Sequence, residues 1–144
     1  AADMFQRYDI PISSQLAHSA KETGWGLNGT LVKTANNFFG IKCKDGTHNH
    51  SKCVKHAGAN WAKYNTAWES WKHHGEFLNA ARYKKCLTKQ STAAYNICIA
   101  SAGYCYPPTG YGEDINKIIS QYGLDTFDAL TPAEAKAVAA KIKL

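Results

Sequence analysis

The sequence predicts an α+β domain, mostly helical around one small irregular or hairpin lobe. Three observations carry that expectation. Helix-period stretches with start and stop signals occupy both halves of the chain, and a glycine-containing piece between residues 36 and 61 has only short apolar runs. The third is length: 144 residues, with no Pro/Gly/Ser-rich linker or internal repeat, predict a single domain over residues 1–144.

The first strong element is "IPISSQLAHSAKETGWG", which reads as a helix with Ser13 as N-cap and Gly24 as its stop. Leu16, Ala17 and Ala20 form an apolar stripe, and His18, Ser19 and Glu22 share the opposite side, so the Glu22 carboxylate is expected to point away from the core. From "NNFFGIKC" through "CVKHAGANW" the pattern is irregular, with Gly40, Gly46 and Gly58, as suits a hairpin or loop lobe. Helical character returns in "TAWESWKHHGEFLNAARY", where Trp68, Trp71, Leu78 and Arg82 recur near a 3.6 period and Thr66 with Glu69 makes a capping box. Further helices are expected at about Ser91 to Ala102, Glu113 to Tyr122 and Pro132 to Lys143. Gly103 and Gly123 close the first two, and Thr131 with Pro132 and Glu134 opens the third.

Composition narrows the function classes. No apolar run approaches the ~18 residues of a membrane-spanning helix. Seventeen Lys and Arg against eleven Asp and Glu give +6, which favours an anionic partner: nucleic acid, a lipid surface or bacterial cell wall. The basic residues read as scattered, and no nucleic-acid motif organises them. Five cysteines, Cys43, Cys53, Cys86, Cys98 and Cys105, are many for a small cytosolic domain and point to an oxidising compartment with up to two disulfides. A bridge between Cys43 and Cys53 would staple the irregular lobe, and the second pairing stays open among Cys86, Cys98 and Cys105. His48, His50, Cys53 and His56, with Cys43 nearby, would suit zinc by ligand type, but their spacing matches no familiar finger and the bridge would consume the thiolates. The stapled loop is the preferred reading.

Glu22 is the acid whose setting suggests chemistry. A carboxyl group acts as a general acid near neutral pH when its surroundings disfavour the ionised form. The negative end of a helix and the neighbouring Trp25 are two such influences, and Lys21 opposes them. On spacing alone, an ordinary exposed glutamate in the last turn of a helix is the preferred reading.

Four ordered blocks add specificity: "YDIPISSQLAHSAKETGWG" from Tyr8 to Gly26, "NNFFGIKC" from Asn36 to Cys43, "WAKYNTAWESW" from Trp61 to Trp71, and "SAGYCYPPTGYGEDINKII" from Ser101 to Ile119. In order and separation they resemble the glucosaminidase family of peptidoglycan hydrolases, glycoside hydrolase family 73, found in flagellar-rod and autolysin cell-wall enzymes. The resemblance implies a lysozyme-like fold and cleavage of the aminosugar backbone of peptidoglycan. It also implies Glu22 as general acid and a functional role for Tyr104, which matches the tyrosine of the family's "AGY". Physically, Gly103 would end a helix and turn Tyr104 out at its rim, where a phenol can donate a hydrogen bond or pack on a sugar ring.

The chain departs from the family in its hairpin. A second glutamate is usual there, yet between Cys43 and Asn60 this chain has no Glu, and Asp45 is the one acid. Asp45 is therefore the candidate second carboxylate, with the substrate's own acetamido group as the alternative. Glu69 is half of a cap, Glu113 and Asp114 suit the first turn of a helix, and Glu76 carries no catalytic signal. Trp68 and Trp71 are expected in the core, whereas Phe39, Tyr64 and Tyr111 stand at block edges and are candidates for a sugar cleft. Asn37 has two roles open to it: bonding a sugar acetamido group, or tying down a turn.

The expected function is hydrolysis of the β-1,4 bond after N-acetylglucosamine in peptidoglycan, by a monomer that needs no cofactor and no metal. Expected partners are the glycan strands and a cognate inhibitor or immunity protein, with neither nucleic acid nor membrane insertion, in a secreted or periplasmic setting. A muramidase, a lytic transglycosylase, and a wall-binding module without catalysis are the alternatives.

Overall fold

The computed structural model describes residues 1–27, 29–43, 52–89 and 91–141. Eight α-helices are described: α1 (Ala2–Tyr8), α2 (Ile12–Thr23), α3 (Thr30–Ala35), α4 (Ala67–Leu78), α5 (Ala81–Lys84), α6 (Thr92–Ser101), α7 (Tyr111–Tyr122) and α8 (Pro132–Lys141). Two strands, β1 (Lys52–His56) and β2 (Ala59–Lys63), form an antiparallel hairpin, and 3₁₀ turns lie at Lys85–Thr88 and Leu124–Phe127. Among the described residues no helix is long and apolar enough to cross a membrane. The chain clusters into two compact units, one of Ala1–Ala17 with the chain from Leu78 onward, the other of His18–Phe77.

In the first unit α6 packs on α7, and a buried cluster of Ala17, Ile115, Ile119 and Leu124 has Leu16, Tyr111, Ile118 and Phe127 against it. The helices meet at Gly112, where a Cβ would stand 2.7 Å from the Ile97 Cα and 2.9 Å from the Asn96 carbonyl oxygen. Glycine is there because only its bare backbone fits.

The start of α2 differs from the expected Ser13 cap. The helix begins at Ile12, and Asp128, distant in sequence, serves its N-terminus instead: its carboxylate accepts from the Ser13 N–H at 2.8 Å and from the Ser13 hydroxyl. The Thr92 hydroxyl, at the start of α6, donates to the same carboxylate at 2.9 Å. An anion at a helix N-terminus satisfies orphan N–H groups and the helix dipole together. The buried Ser14 hydroxyl donates to Asn96 at 2.6 Å, and Asn96 donates to Asn116 at 2.9 Å, so the Ser14 and Asn96 side chains are bonded rather than stranded.

Local capping signals hold where their partners are local. Ser91 accepts from Ala94 N–H at 3.2 Å to open α6, and Thr131 and Glu134 bond reciprocally at the start of α8. At α4, Glu69 N–H donates to the Thr66 hydroxyl at 3.3 Å, while the Glu69 carboxylate reaches one residue further back, to Asn65 N–H at 2.7 Å. The stretch expected to be one helix through Arg82 is two, α4 and α5. Asn79, whose side chain competes with helix hydrogen bonds, stands at the break. Disulfides join Cys43 to Cys53, as expected, and Cys86 to Cys98; Cys105 lies outside both.

The second unit is built on the hairpin. Its two-residue turn, Ala57 and Gly58, has φ of 48° and 75°, the left-handed pair that matches strand twist. Residues 41–43 run beside β2, with Ala62 N–H donating to Ile41 and Cys43 N–H to Asn60, both at 3.0 Å. Phe39, 4% exposed, stacks on His74 at 3.7 Å and meets Trp71 edge-on at 4.9 Å, with His18 and His74 5.9 Å apart. Trp68, expected in the core, is 45% exposed, with Lys72 over its ring.

Candidate active site

The "KETGWG" stretch explains itself at the backbone. Gly24, Trp25 and Gly26 all have positive φ, 56°, 63° and 76°, so the chain makes three successive left-handed steps straight after α2. Two glycines make that run tolerable, and Thr23 braces it: its hydroxyl donates to the Ser19 carbonyl at 2.6 Å and accepts from Gly26 N–H at 2.7 Å. Glu22, in the last turn of α2, is thereby exposed beside a bend fixed on both sides. His18 and Ser19, expected on the same solvent-facing side, are instead buried, and only Lys21 and Glu22 in this stretch face outward before the bend.

Beside Glu22 lies the "NNFFGIK" turn. Gly40, at φ 58°, would carry a Cβ 3.6 Å from Glu22 Oε2 and 3.9 Å from Cζ3 of Trp61. Acid, bare glycine and indole therefore converge on one spot. Trp61 is half-buried on β2, its Nε1 donating to the His56 carbonyl at 2.9 Å and its ring under Lys42 at 5.9 Å. Sequence reasoning singled out neither Gly40 nor Trp61 as a site residue. The available signal was their place inside matched blocks, whereas their meeting with Glu22 is a tertiary fact.

Three candidate cleft residues belong to the interior instead. Asn37 is 1% exposed and ties the turn: Nδ2 donates to the carbonyls of Ile41 and Ala62, both at 2.9 Å, and Oδ1 accepts from Ile41 N–H at 3.1 Å. Of its two roles the structure shows the turn tie. Phe39 is the stacked core ring described above, so it offers no face to a sugar. Tyr64 is 1% exposed, its hydroxyl 2.6 Å from His73 Nδ1; burial first, and Glu76 second, hold its phenol protonated far above the usual range. Aromatic residues at block edges pack inward here because the small lobe needs them as its core.

Tyr104 and Tyr111 come together in the other unit, ring centroids 5.5 Å apart, both half-buried. Gly103, at φ 88°, closes α6, and Tyr104 N–H donates to the Ile99 carbonyl at 3.3 Å. Buried Tyr83 holds this turn from beneath: its hydroxyl donates to the Gly103 carbonyl at 3.2 Å and its ring meets Tyr104 at 6.3 Å. Asp45, His48 and His50 lie outside the described residues. Among the described residues, no group of three His, Cys, Asp or Glu side chains could hold a metal ion.

Burial pushes His18 down to about 3, with Lys21 adding to it, and drives His74 well below the ordinary histidine range, with His18 and His73 adding. Both rings are neutral at physiological pH. They are core, not acid–base machinery.

A family model described as mannosyl-glycoprotein endo-β-N-acetylglucosaminidase, the glucosaminidase family, matches residues 1–124. Among solved structures, the chain is similar to the catalytic domain of the autolysin Auto from Listeria monocytogenes, at 24% identity and TM-score 0.70 over 88% of this chain and 80% of that one. It is similar to the peptidoglycan hydrolase from Sphingomonas sp. A1, at 18% identity and TM-score 0.72 over 99% and 90%. A third likeness is to a type VI secretion system effector–immunity complex from Pseudomonas protegens, at 16% and 0.63 over 86% and 84%. These likenesses establish the lysozyme-like α+β fold. No curated protein matches the chain.

Proposed function

The chain belongs to the glucosaminidase family and is a glycoside hydrolase, and from that premise we propose that it hydrolyses the β-1,4 bond after N-acetylglucosamine in peptidoglycan, with Glu22 as general acid. The observation that carries this reading is the convergence of Glu22 Oε2, the bare Gly40 and the Trp61 ring. A sugar ring needs an aromatic face to lie on, an open floor, and a proton source at its glycosidic oxygen, and this spot has all three. Structural relatives described as an autolysin and a peptidoglycan hydrolase support the choice of polymer.

Glu22 gives its proton to the leaving oxygen as the bond to the anomeric carbon breaks, and water adds to the oxocarbenium-like centre. Tyr104, presented by the turn at Gly103, serves to position the sugar or the water. Asp45 or the substrate's own acetamido oxygen supplies the second catalytic group. Residues 1–144 act as one glucosaminidase-like domain, supported by a family match that runs through residues of both units. Two disulfides fit an oxidising, extracytoplasmic compartment, and the effector–immunity relative supports a delivered antibacterial toxin with a cognate inhibitor in its producer.

The acid-poor hairpin favours one second reading: attack by the muramic 6-hydroxyl, as in a lytic transglycosylase, which needs no second carboxylate. Mass spectrometry of muropeptides after borohydride reduction separates the readings, since only a reducing end becomes an alcohol. Reduced glucosamine ends are expected. Reduced muramic ends would make the protein a muramidase, and anhydro ends a transglycosylase. Glu22→Gln should lower turnover by roughly a hundredfold or more without altering the fold, and retained turnover would sink the assignment.

A further inference from the structure

The basic residues that read as scattered along the chain are gathered by the hairpin. Between Thr23 and Trp68 the sequence has Lys33, Lys42, Lys44, Lys52, Lys55 and Lys63 against Asp45 as the one acid. In the β1–β2 register Lys52 pairs with Lys63, Val54 with Trp61 and His56 with Ala59, and Lys42 bridges to Trp61. Side chains alternate along a strand, so Lys42, Lys52, His56 and Lys63 stand on the same sheet face as Trp61. All four are exposed, and Lys42 Nζ lies 5.9 Å from the indole. Lys52 and Lys63 stand directly opposite each other in the register, so positive charge is concentrated across the two strands.

We infer that this lysine-rich face binds the carboxylates of the stem peptides carried by the glycan, next to the sugar that lies on Trp61. The inference rests on the proposed function and narrows its substrate to peptide-bearing strands. Charge sign selects the ligand: a bare chitin-like glycan is neutral, whereas stem peptides place several carboxylates within reach of an aminosugar strand. Exposed charges of this kind supply steering and register more than affinity, and they act within a Debye length of about 8 Å at physiological salt. Trp61 holds the ring while the lysines choose which strand presents it.

The test uses the Glu22→Gln protein, which binds without turnover, on purified peptidoglycan and on chitin, a neutral β-1,4 aminosugar polymer that carries no stem peptides. Adding Lys52→Gln and Lys63→Gln should weaken retention on intact walls by roughly fivefold or more, and on chitin by less than about twofold. The Lys52→Arg, Lys63→Arg protein keeps both charges and should bind intact walls as before, which separates charge from folding. Equal weakening on both polymers, or none on either, would overturn the inference. Sugar release by the unsubstituted protein is scored separately: no release with the binding contrast intact defeats the hydrolase reading alone, and release without the contrast defeats this inference alone.

Discussion

Gly40 does its work by lacking a side chain. Its φ of 58° already disfavours any L residue, and a methyl there would sit in van der Waals contact with both Glu22 Oε2 and Trp61. Gly40→Ala should cost about 1–2 kcal/mol of stability from the left-handed backbone. It should also lower turnover by roughly tenfold or more, because the methyl occupies the floor on which the sugar must settle beside the acid. Gly123→Ala provides the comparison: φ is 61° and nothing lies within 4 Å, so it should show the same fall in melting temperature with turnover intact. Equal turnover in the two variants would remove Gly40 from the site. The same scale accounts for the misjudged aromatics. Phe39 and Tyr64 stand at block edges as cleft residues would, yet each is buried, Phe39 between His74 and Trp71 and Tyr64 with its hydroxyl on His73.

Among the elements, α6 and α7 set the framework of the first unit, and their closest approach depends on Gly112. Gly112→Ala would place a Cβ 2.7 Å from backbone and force the helices apart, a destabilisation of about 1–3 kcal/mol, or a fall of several degrees in melting temperature. Differential scanning calorimetry checks it, and an unchanged transition would mean the helix crossing accommodates the methyl group. The turn after α6 depends in the same way on Tyr83, whose hydroxyl holds the Gly103 carbonyl beneath Tyr104. Tyr83→Phe leaves the ring in place and removes that bond, so it should cost about 1 kcal/mol. Turnover should fall further than stability if Tyr104 acts on the substrate.

At the scale of the whole molecule, the buried histidines link stability to pH. In the folded chain His18 is held to about 3 and His74 well below its ordinary value, while in the unfolded chain both take up protons near 6.5. Stability is therefore complete above about pH 6.5 and is lost as pH falls toward 3, because the unfolded state binds the extra protons. Each histidine contributes up to about 1.4 kcal/mol per pH unit in that window. Urea unfolding between pH 6 and pH 4 should show a steep decline, and His18→Gln should flatten it by about one proton. An unaltered slope in that variant would mean His18 is protonated in the fold.

Local chemistry was legible from the sequence alone. The helices with their own caps, the stop at Gly24, the hairpin lobe and the Cys43–Cys53 staple all rest on bonds between residues near in the chain, so pattern and propensity suffice to find them. The family blocks nominated Glu22 and Tyr104 for the roles proposed for them. What the tertiary structure decided involves partners far apart in sequence. Asp128 rather than Ser13 caps α2, Cys98 rather than Cys105 takes Cys86, and Asn37, Phe39 and Tyr64 turn inward. Trp61 and Gly40 meet Glu22, and the lysines share one sheet face. No local preference encodes such meetings, because a side chain's burial and neighbours follow from how the elements pack, and packing is a property of the folded chain as a whole.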